Sequence, residues 1–472
     1  MIPIPSSFSS IVTLLWVATV VRAADPTVVF PPATEVHSLA RCVEASLAGN
    51  PSLRAERESR NELSGQKWQA LSTGLPTIRF KANWSLSRDP SFALDETFAG
   101  GDFGSVLDSL FGDVSFIPSP GDIEAQSFWR THVNADWELN PFRVANAVGA
   151  ANLAMERQEQ LIAWAEIRVI EAALMAFHDV LAASAALEAS EAELASRLEL
   201  LGKERDRLAL DRATPLDTLR AAVSAANFRP ERRRREQAVR AAGAHLNLLM
   251  GREFNAPLAL ESAGSPEWDE VPLDALLDRL PQRPDLVAEQ LWISMQEKDR
   301  GVRRSDYRPF LEFGGSYGRV GRTFASLGAD GQDQWSASVG LAVPLFDGFY
   351  SLGRVREISA KIARSEFARE DHLRTARHEA GRALADLGIA RQDLNAADLV
   401  LAAATEAFRV TEERYLNERV EYPALAHARA ELHVARTNLI AARRDLLVRI
   451  ARVKRVAGLS PMAPLSRLSP PS

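Results

Sequence analysis

The chain of 472 residues contains a single cysteine, Cys42. One thiol cannot form a disulfide within the chain. A lipid-anchored exported protein needs its cysteine directly after an apolar run and a small residue, but Cys42 follows Arg41 and lies far from the N-terminal apolar run. We therefore interpret Cys42 as a small residue on the face of a helix.

Neither sign of charge dominates the sequence. It has 56 basic and 62 acidic side chains and a net charge of −6, which becomes −7 when residues 1–23, with their one arginine and no acid, are removed. Binding to nucleic acid favours a clearly basic surface. This mild acidity therefore argues against a nucleic-acid partner.

Long apolar runs are also scarce. The run "IVTLLWVATVV" lies within residues 1–23, which we predict to be a signal peptide because small or apolar residues, Val21 and Ala23, occupy the positions that signal peptidase reads. The segment before the run lacks Lys and Arg, so an uncleaved anchor is the alternative. We expect no later apolar run long enough for a transmembrane helix, so in a membrane the strands must do the spanning.

The sequence lacks the motifs of catalysis and metal binding. It contains no H-E-x-x-H, P-loop or G-x-S-x-G motif. His372 and His378 are six residues apart, as are His427 and His433, which puts each pair on different helix faces. We predict no enzyme activity, no catalytic residue, no metal site and no cofactor.

Three segments alternate apolar and polar residues, which is typical of strands with one apolar face. They span residues 77–88, 128–140 and 335–346, and a fourth strand is predicted at 310–320 because "RPFLEF" repeats "LPTIRF" of the first half. Tilted strands of this length match the hydrocarbon thickness of a bilayer. Tryptophans stand at the ends of the apolar faces, where a membrane interface favours them: Trp84, Trp129, Trp137 and Trp335. We predict membrane strands with these four interface aromatics.

The rest of the sequence consists of two similar helical halves. In each half a proline opens a helix and a second proline, 25 residues later, opens a strand: Pro51 and Pro76, then Pro284 and Pro309. We divide the chain into a first structural repeat (24–250), a linker (251–272), a second structural repeat (273–457) and a disordered tail (458–472).

Each repeat is predicted to end in a long helical hairpin. The long helices span about 142–210 and 350–416, and the return helices about 214–250 and 422–457. Leu387, Leu394, Leu401 and Phe408 recur every seven residues, which indicates a coiled-coil seam. At 1.5 Å per residue each long helix measures roughly 100 Å.

Four membrane strands need partners from other copies of the chain. A membrane strand must pair every backbone group, and four strands cannot enclose a lumen. Three copies would give a twelve-stranded barrel, although strand counting alone permits other closures. The predicted fold class is mainly α with β: internally duplicated coiled-coil hairpins plus four transmembrane strands per chain, with a trimer forming a 12-stranded β-barrel and an α-helical tunnel.

The order and duplicated spacing of "NPSLRAERE", "DWELNPFR", "RPDLVAEQ" and "VPLFDG" resemble the outer-membrane factor family, the TolC-like outer membrane efflux proteins. The resemblance implies a homotrimer in the outer membrane of a Gram-negative-type bacterium, extending into the periplasm. It also implies an exit duct of a tripartite efflux or type I secretion-like system. The expected partners are outer-membrane lipid, a periplasmic adaptor (membrane fusion) protein and an inner-membrane transporter. A soluble periplasmic coiled-coil scaffold is the alternative.

The resemblance also implies a periplasmic gate at the tips of the hairpins. The matching positions are Arg207, Asp217, Arg414 and Tyr415. At the tips themselves Asp211 and Glu418 replace the usual glycines, which puts the usual adaptor-docking surface in doubt. Threefold symmetry would turn each of Asp211, Asp217, Glu418 and Glu421 into three like charges around a pore.

Overall fold

The structure is a computed structural model that describes residues 36–88, 109–110, 125–261, 271–417 and 419–464. The predicted signal peptide and Glu418 lie outside the described residues, as do residues 465–472 of the predicted tail.

Helices and strands alternate in two similar series. The helices are α1 (Leu39–Gly49), α2 (Pro51–Ser72), α3 (Pro141–Ala209), α4 (Pro215–Leu249), α5 (Leu273–Arg279), α6 (Pro284–Arg304), α7 (Tyr350–Leu416) and α8 (Tyr422–Val456). The strands are β1 (Val36–His37), β2 (Thr77–Ser87), β3 (Gln126–Leu139), β4 (Ala259–Leu260), β5 (Phe310–Gly321) and β6 (Asp333–Ala342). The long helices α3 and α7 contain 69 and 67 residues.

Asparagine followed by proline starts two of the helices. The side chain of Asn50 accepts a hydrogen bond from Leu53 N at 3.2 Å, and Pro51 is the first helical residue of α2. Asn140 does the same for Arg143 N at 3.1 Å, ahead of α3. A proline costs nothing at this position, since its missing N–H would have no partner within the helix. The repeated Asn-Pro pair thus defines helix starts in the sequence.

Strands β2, β3, β5 and β6 form one antiparallel sheet in that order. Its register puts Phe80 beside Val133, Val133 beside Tyr317, and Tyr317 beside Trp335. All four of these side chains are on one face, because residues directly opposite each other on neighbouring strands share a face. Along each strand, every second residue belongs to the same face. The apolar residues of the four strands therefore form one continuous apolar face, and the opposite face is polar.

Nothing within the described chain covers the sheet. Ile78 is 71% exposed and Val339 is 74% exposed on the apolar face. Strands β2 and β6 each pair with a single neighbour, so each leaves one backbone edge without a strand partner among the described residues. An exposed apolar face with two open edges requires an environment or a partner outside the chain.

The helices continue the order of the strands. Close to the sheet the neighbours are α2, α3, α6 and α7, in the same sequence as β2, β3, β5 and β6. Farther away α4 packs on α3, α3 packs on α8, and α8 packs on α7. The chain is therefore one curved layer of four elements along its length, with α7 at one lateral edge and α2 followed by α4 at the other.

The best-packed region lies midway along the long helices. Leu276 of α5, and Leu280 directly after this helix, are buried against Leu387 of α7 and Val453 of α8. Leu459 joins this cluster at 8% exposure, just after Gly458, whose φ of 71° ends α8. Residues 458–464 are thus folded against the core, and the predicted disordered tail starts too early because the apolar Leu459 has a buried site to occupy.

Several strand boundaries and one short pairing differ from the predictions. Strand β6 starts at Asp333 rather than at 335, and it ends at Ala342 rather than at 346 because Pro344 has no N–H for the ladder. Strand β3 starts at Gln126, two residues before the predicted start. The predicted linker contains β4, which pairs with β1 in parallel. Two-residue strands carry too little pattern to be read from the sequence.

The expectation that no segment after residue 23 is long and apolar enough for a transmembrane helix was wrong. Helix α3 contains an 18-residue window with a mean hydropathy of 1.5 and few charges, so by length and composition it could cross a membrane. In the structure 44% of that window is buried. Phe177 of this helix packs against Cys42 and Leu246, and Ala173 packs against Val43. The apolar run therefore contributes to the helical core.

Cys42 itself is fully buried in α1. Burial raises the pKa of its thiol to about 11. The side chain contacts the cluster around Phe177 and Leu246. Cys42 is therefore a helix-face residue, as predicted, and its thiol is inaccessible to reagents in solvent.

Candidate functional site at the hairpin tips

The same backbone hydrogen bond follows both long helices. After α3, Arg212 N donates to Arg207 O at 2.8 Å, and after α7, Arg419 N donates to Arg414 O at 2.8 Å. In the first hairpin this bond from the second residue beyond the cap defines a Schellman motif, which needs a left-handed residue in between. Asp211 is that residue in the first hairpin, with a φ of 58°. Aspartate tolerates this conformation better than most residues, so the tip keeps its shape without glycine.

The return helices start in different ways. Thr214 caps α4: its Oγ1 accepts from Asp217 N at 3.3 Å, and Asp217 Oδ2 accepts from Thr214 N at 3.2 Å. This reciprocal capping box satisfies two backbone donors at the helix start. Glu421 precedes α8 and makes no side-chain cap bond. Asp217 therefore stabilises the first return helix, whichever other role it has.

We expect the first tip to loosen in acid through Asp217. The hydrogen bond from the Thr214 hydroxyl, together with its backbone N–H, lowers the pKa of the Asp217 carboxyl below its usual 3.8. A lowered folded pKa stabilises the fold above pH 3.8 and loses that contribution as the pH falls through the folded pKa. The protection of the amides at residues 214–218 against hydrogen exchange, relative to the intrinsic exchange rate at each pH, should therefore decrease below about pH 4 in the natural protein. Asp217→Asn should exchange faster at neutral pH and lack this acid-dependent step; an identical pH profile in both proteins would contradict the assignment.

Tyr415 lies at the centre of the contact between the two hairpins. It is 7% exposed and packs with Leu200 of α3 and Leu425 of α8. Its ring lies 6.3 Å from that of Tyr422, edge to face. A buried aromatic side chain that touches three helices fixes their relative positions.

A buried acid lies beside this tyrosine. Glu204 of α3 is 1% exposed, and its Oε1 lies 3.9 Å from Arg207 Nη1. The guanidinium of Arg207 also lies over the Tyr415 ring, 5.6 Å from its centre. Burial first, and then the Glu204 carboxylate, raise the pKa of the Tyr415 hydroxyl, which stays protonated. We call this group the gate cluster: Leu200, Glu204, Arg207, Tyr415 and Leu425.

The structure divides the predicted gate residues into two groups. Arg207 and Tyr415 belong to the gate cluster, and Asp217 lies next to it at the start of α4. The side chains of Asp211, Arg414 and Glu421 are exposed at the tips. Arg207 and Arg414 are equivalent in the two repeats, yet only Arg207 faces the opposite hairpin. The duplication is therefore broken at the site itself.

A second buried polar layer lies farther from the tip. Arg197 Nε donates to Glu193 Oε1 at 2.7 Å, and its guanidinium lies 4.5 Å from the centre of the Phe228 ring. Arg429 of α8 is 4% exposed, and burial lowers its pKa. The same cause lowers the pKa of His433, which stacks edge to face on Phe228.

Sequence reasoning missed these buried charges, although a signal was present. Glu193, Arg197, Leu200 and Glu204 follow one another at spacings of four, three and four residues. This is the spacing of a coiled-coil seam, and charged residues at seam positions are buried when the helices pair. In the local sequence these charged residues resemble solvent-facing ones, because their burial depends on the partner helix.

The tip also carries an open apolar groove. Leu216, Leu219 and Val223 of α4 line one wall, and Pro423 and Ala426 line the other, around a volume of about 540 Å³. The three α4 side chains are more than half exposed. We call this the tip groove.

At the other end of the molecule, aromatic side chains border the apolar face of the sheet. Near the strand–strand connections, Trp84 lies 6.3 Å from Trp129, and Trp335 is level with Tyr317. Near the helices, Trp137 stacks on a phenylalanine ring at 5.0 Å, and its Nε1 donates to a backbone oxygen at 3.0 Å. The eight residue-to-residue steps from Trp129 to Trp137 span about 26 Å along the strand.

A helical layer that continues into a two-faced sheet is found in solved outer-membrane channels. A membrane protein from Pseudomonas aeruginosa matches with a TM-score of 0.75 and 21% identity, over 89% of this chain and 92% of that protein. The Campylobacter jejuni CmeC outer membrane channel matches with a TM-score of 0.75 and 15% identity, over 91% and 88%. The fold is therefore that of the TolC-like channels.

Sequence comparison finds a family match over part of the chain. The Outer membrane efflux protein family matches residues 276–459. Outer membrane protein OprJ of Pseudomonas aeruginosa is 25% identical over 283 residues, covering 59% of this chain and 59% of OprJ. Toluene efflux pump outer membrane protein TtgI of Pseudomonas putida is 24% identical over 272 residues, covering 54% and 55%.

Residues 276–459 thus match the Outer membrane efflux protein family, and the predicted resemblance to the outer-membrane factor family is confirmed. The match spans about three-fifths of the length of the curated relatives. These relatives are named as outer membrane or efflux-pump proteins, not as enzymes.

Proposed function

We propose that this protein is a passive efflux duct of the outer membrane, built from three copies and closed at rest by the hairpin tips. One observation carries the proposal: a sheet with one exposed apolar face and two open edges continues, element by element, into a layer of paired long helices. The outer-membrane location that the sequence predicted is confirmed by the matching family and its relatives.

The apolar face of the sheet suits lipid. Aromatic residues border this face at both ends, and the span between them is close to the roughly 25 Å apolar band of membrane barrels. Trp84, Trp129, Trp137 and Trp335 would be the interface residues, since amphipathic rings favour the headgroup level. The polar face would then line water.

Ring closure follows from the two open edges. Edge β6 of one copy would pair with edge β2 of the next, which removes both edges at once. Such a head-to-tail contact generates a closed ring if its rotation closes. Three copies of four strands give twelve strands, enough to enclose a lumen.

The same closure would join the helices into a tunnel. At the lateral edges of the helical layer, α7 exposes Leu399 and Val400, and α2 exposes Trp68. Exposed apolar side chains on edge helices indicate contacts with neighbouring copies. An α7 edge packed on α2 and α4 of the next copy would extend the barrel into the periplasm as an α-helical tunnel.

The gate cluster is the proposed lock. It joins the hairpin of α3 and α4 to the hairpin of α7 and α8 close to the tip. Rotation of one hairpin against the other would separate Tyr415 from Arg207 and Glu204 and widen the end of the tunnel, as an iris opens. The carboxylates of Asp211, Asp217, Glu418 and Glu421, each present three times around the pore, would then form an acidic ring at the entrance for the cargo.

The proposed partners are a periplasmic adaptor and an inner-membrane transporter, together with outer-membrane lipid. The tip groove supports the adaptor, because Leu216, Leu219 and Val223 present an apolar helical stripe at spacings of three and four residues. The relatives named as solvent and toluene efflux pump proteins belong to pump assemblies. An adaptor that fills this groove could carry the energy of a transporter to the gate.

Single-channel recording of the purified protein in a planar bilayer tests the duct. We expect discrete steps of low conductance, because the tips limit the current. A protein that is folded by circular dichroism yet never inserts would overturn the proposal and favour the soluble scaffold. The exposed apolar sheet already disfavours that alternative, since water would leave it prone to aggregation.

A further inference from the structure

The polar face of the sheet has its charges sorted along the strands. On β3, Asp136 and Glu138 lie toward the helices, and Arg130 and His132 lie toward the strand–strand connections. Residues at even spacing share a face, so all four side chains are on the polar face. The centres of the acidic pair and the basic pair are about 20 Å apart along the strand.

Neighbouring strands extend both groups. Glu312 of β5 is in register with Glu138, and Lys81 of β2 is in register with His132. We define the acidic band as Asp136, Glu138 and Glu312, and the basic band as Lys81, Arg130 and His132. Arg79 lies at the boundary between the bands, where it pairs with Asp136 at 3.0 Å.

Part of this charge is not neutralised by ion pairs within the described residues. Glu138 forms an ion pair with Arg143 at 3.2 Å, and Arg143 also forms an ion pair with Asp306 at 2.9 Å. No ion pair to another described residue involves Lys81, Arg130 or Glu312. A net field of opposite sign therefore remains in each band.

Resting on the proposed duct, we infer that its barrel lumen is a two-band electrostatic filter that repels small anions at the helix end and small cations at the opposite end. Threefold symmetry would multiply each charge by three around the pore. A small ion of either sign meets one unfavourable band on its path, whereas a neutral or zwitterionic molecule meets no net barrier. Such a lumen passes neutral or zwitterionic cargo in preference to simple ions.

The expected strength of the filter depends on salt. The Debye length is about 8–10 Å at physiological ionic strength and about 3 Å at 1 M. Each band therefore acts on an ion a few ångströms from the wall at low salt, here about 0.1 M, and is screened at high salt. Because the bands lie about 20 Å apart, roughly twice the Debye length at 0.1 M, one band does not cancel the other.

The reaction rates of charged thiol reagents at introduced cysteines report the local potential of each band separately. Cys42 is fully buried, so the natural protein supplies a background without reactive thiols. Asn83→Cys puts a thiol opposite Arg130, and Gly340→Cys puts one opposite Glu312, where the added Cβ meets Glu312 Cβ at 3.8 Å. Each variant, in lipid nanodiscs, is treated with an anionic and a cationic methanethiosulfonate of similar size. The ratio of the two rates cancels any difference in thiol acidity.

We expect the ratio of anionic to cationic rate at Asn83→Cys to exceed that at Gly340→Cys by about tenfold at low salt, and to approach equality at 1 M salt. Adding Arg130→Glu should invert the preference at Asn83→Cys and leave that at Gly340→Cys unchanged. The control is that both variants migrate on a native gel like the natural protein. Equal rate ratios at both sites in such variants would overturn the proposed filter.

Ala82→Cys separates this outcome from a failure of the duct itself. Ala82 adjoins Asn83 on β2 but belongs to the apolar face. In a membrane barrel it faces lipid, and neither charged reagent should reach it. If Ala82→Cys reacts as fast as Asn83→Cys, the lipid-facing orientation, and with it the proposed function, is wrong.

Discussion

Replacing Tyr415 with alanine is expected to turn a channel that is closed at rest into one that conducts. The side chain is 7% exposed and packs between two hairpins. Truncating a large buried aromatic residue typically costs about 3–5 kcal/mol, and about 1.4 kcal/mol is enough to change an equilibrium tenfold. The open population should therefore rise at least tenfold, which single-channel recording measures directly as open probability and mean current.

Two further variants locate the effect in the gate cluster. Arg207→Ala should also raise the resting current, because it removes the guanidinium that lies over the Tyr415 ring and 3.9 Å from Glu204. Arg414→Ala is the matched control: it is the same change at the equivalent position of the other repeat, and its side chain is exposed, with no ion pair to another described residue. A larger current in Arg414→Ala than in Arg207→Ala would move the gate away from this cluster.

Tyr415→Phe separates packing from polar chemistry. The ring and its contacts with Leu200 and Leu425 are kept, but the hydroxyl beside Glu204 is lost. If packing holds the tips closed, this variant should stay close to the natural resting current. If its resting current is as large as that of Tyr415→Ala, the hydroxyl group and Glu204, rather than packing, hold the tips closed.

The sequence predicted the elements well because their periods are local. Alternation with period two identifies β2 and β3, and recurrence at three, four and seven residues identifies α3 and α7. The strand end at Ala342 was misplaced although Pro344 marks it in the sequence. The folded residues after Gly458 were misplaced because their position depends on a contact outside their own segment. The short pairing of β1 with β4 carries no periodic signal at all.

The contact between the two hairpins near their tips could be expected from the sequence, but its residues could not be resolved. Two equivalent arginines, Arg207 and Arg414, have the same local context, and only the packing of one hairpin on the other decides which is half-buried. Glu204 was missed because a glutamate on a charged helix resembles a surface residue. Its burial arises from Tyr415, which is more than 200 residues away in the chain. Such contacts require the three-dimensional arrangement.

Placing one positive charge on the apolar face should prevent membrane insertion, whereas the same charge one residue away should not. Ala82 and Asn83 are adjacent on β2 and belong to opposite faces of the sheet. An arginine on the lipid face near the middle of a bilayer costs about 2–4 kcal/mol for each copy. Alanine has almost no side chain to lose, so Ala82→Arg adds this cost with little change in packing.

We therefore expect Ala82→Arg to be lost from the membrane fraction after alkaline extraction, and Asn83→Arg to remain there at the level of the natural protein. Circular dichroism of both purified variants should keep the helical signal, since α3 and α7 lie outside the sheet. If both variants stay in the membrane, the apolar face of β2 does not contact lipid. If both are lost, the strand does not tolerate arginine on either face, and the polar side cannot line a water-filled lumen. Only the asymmetric result supports a sheet with lipid on one side and water on the other.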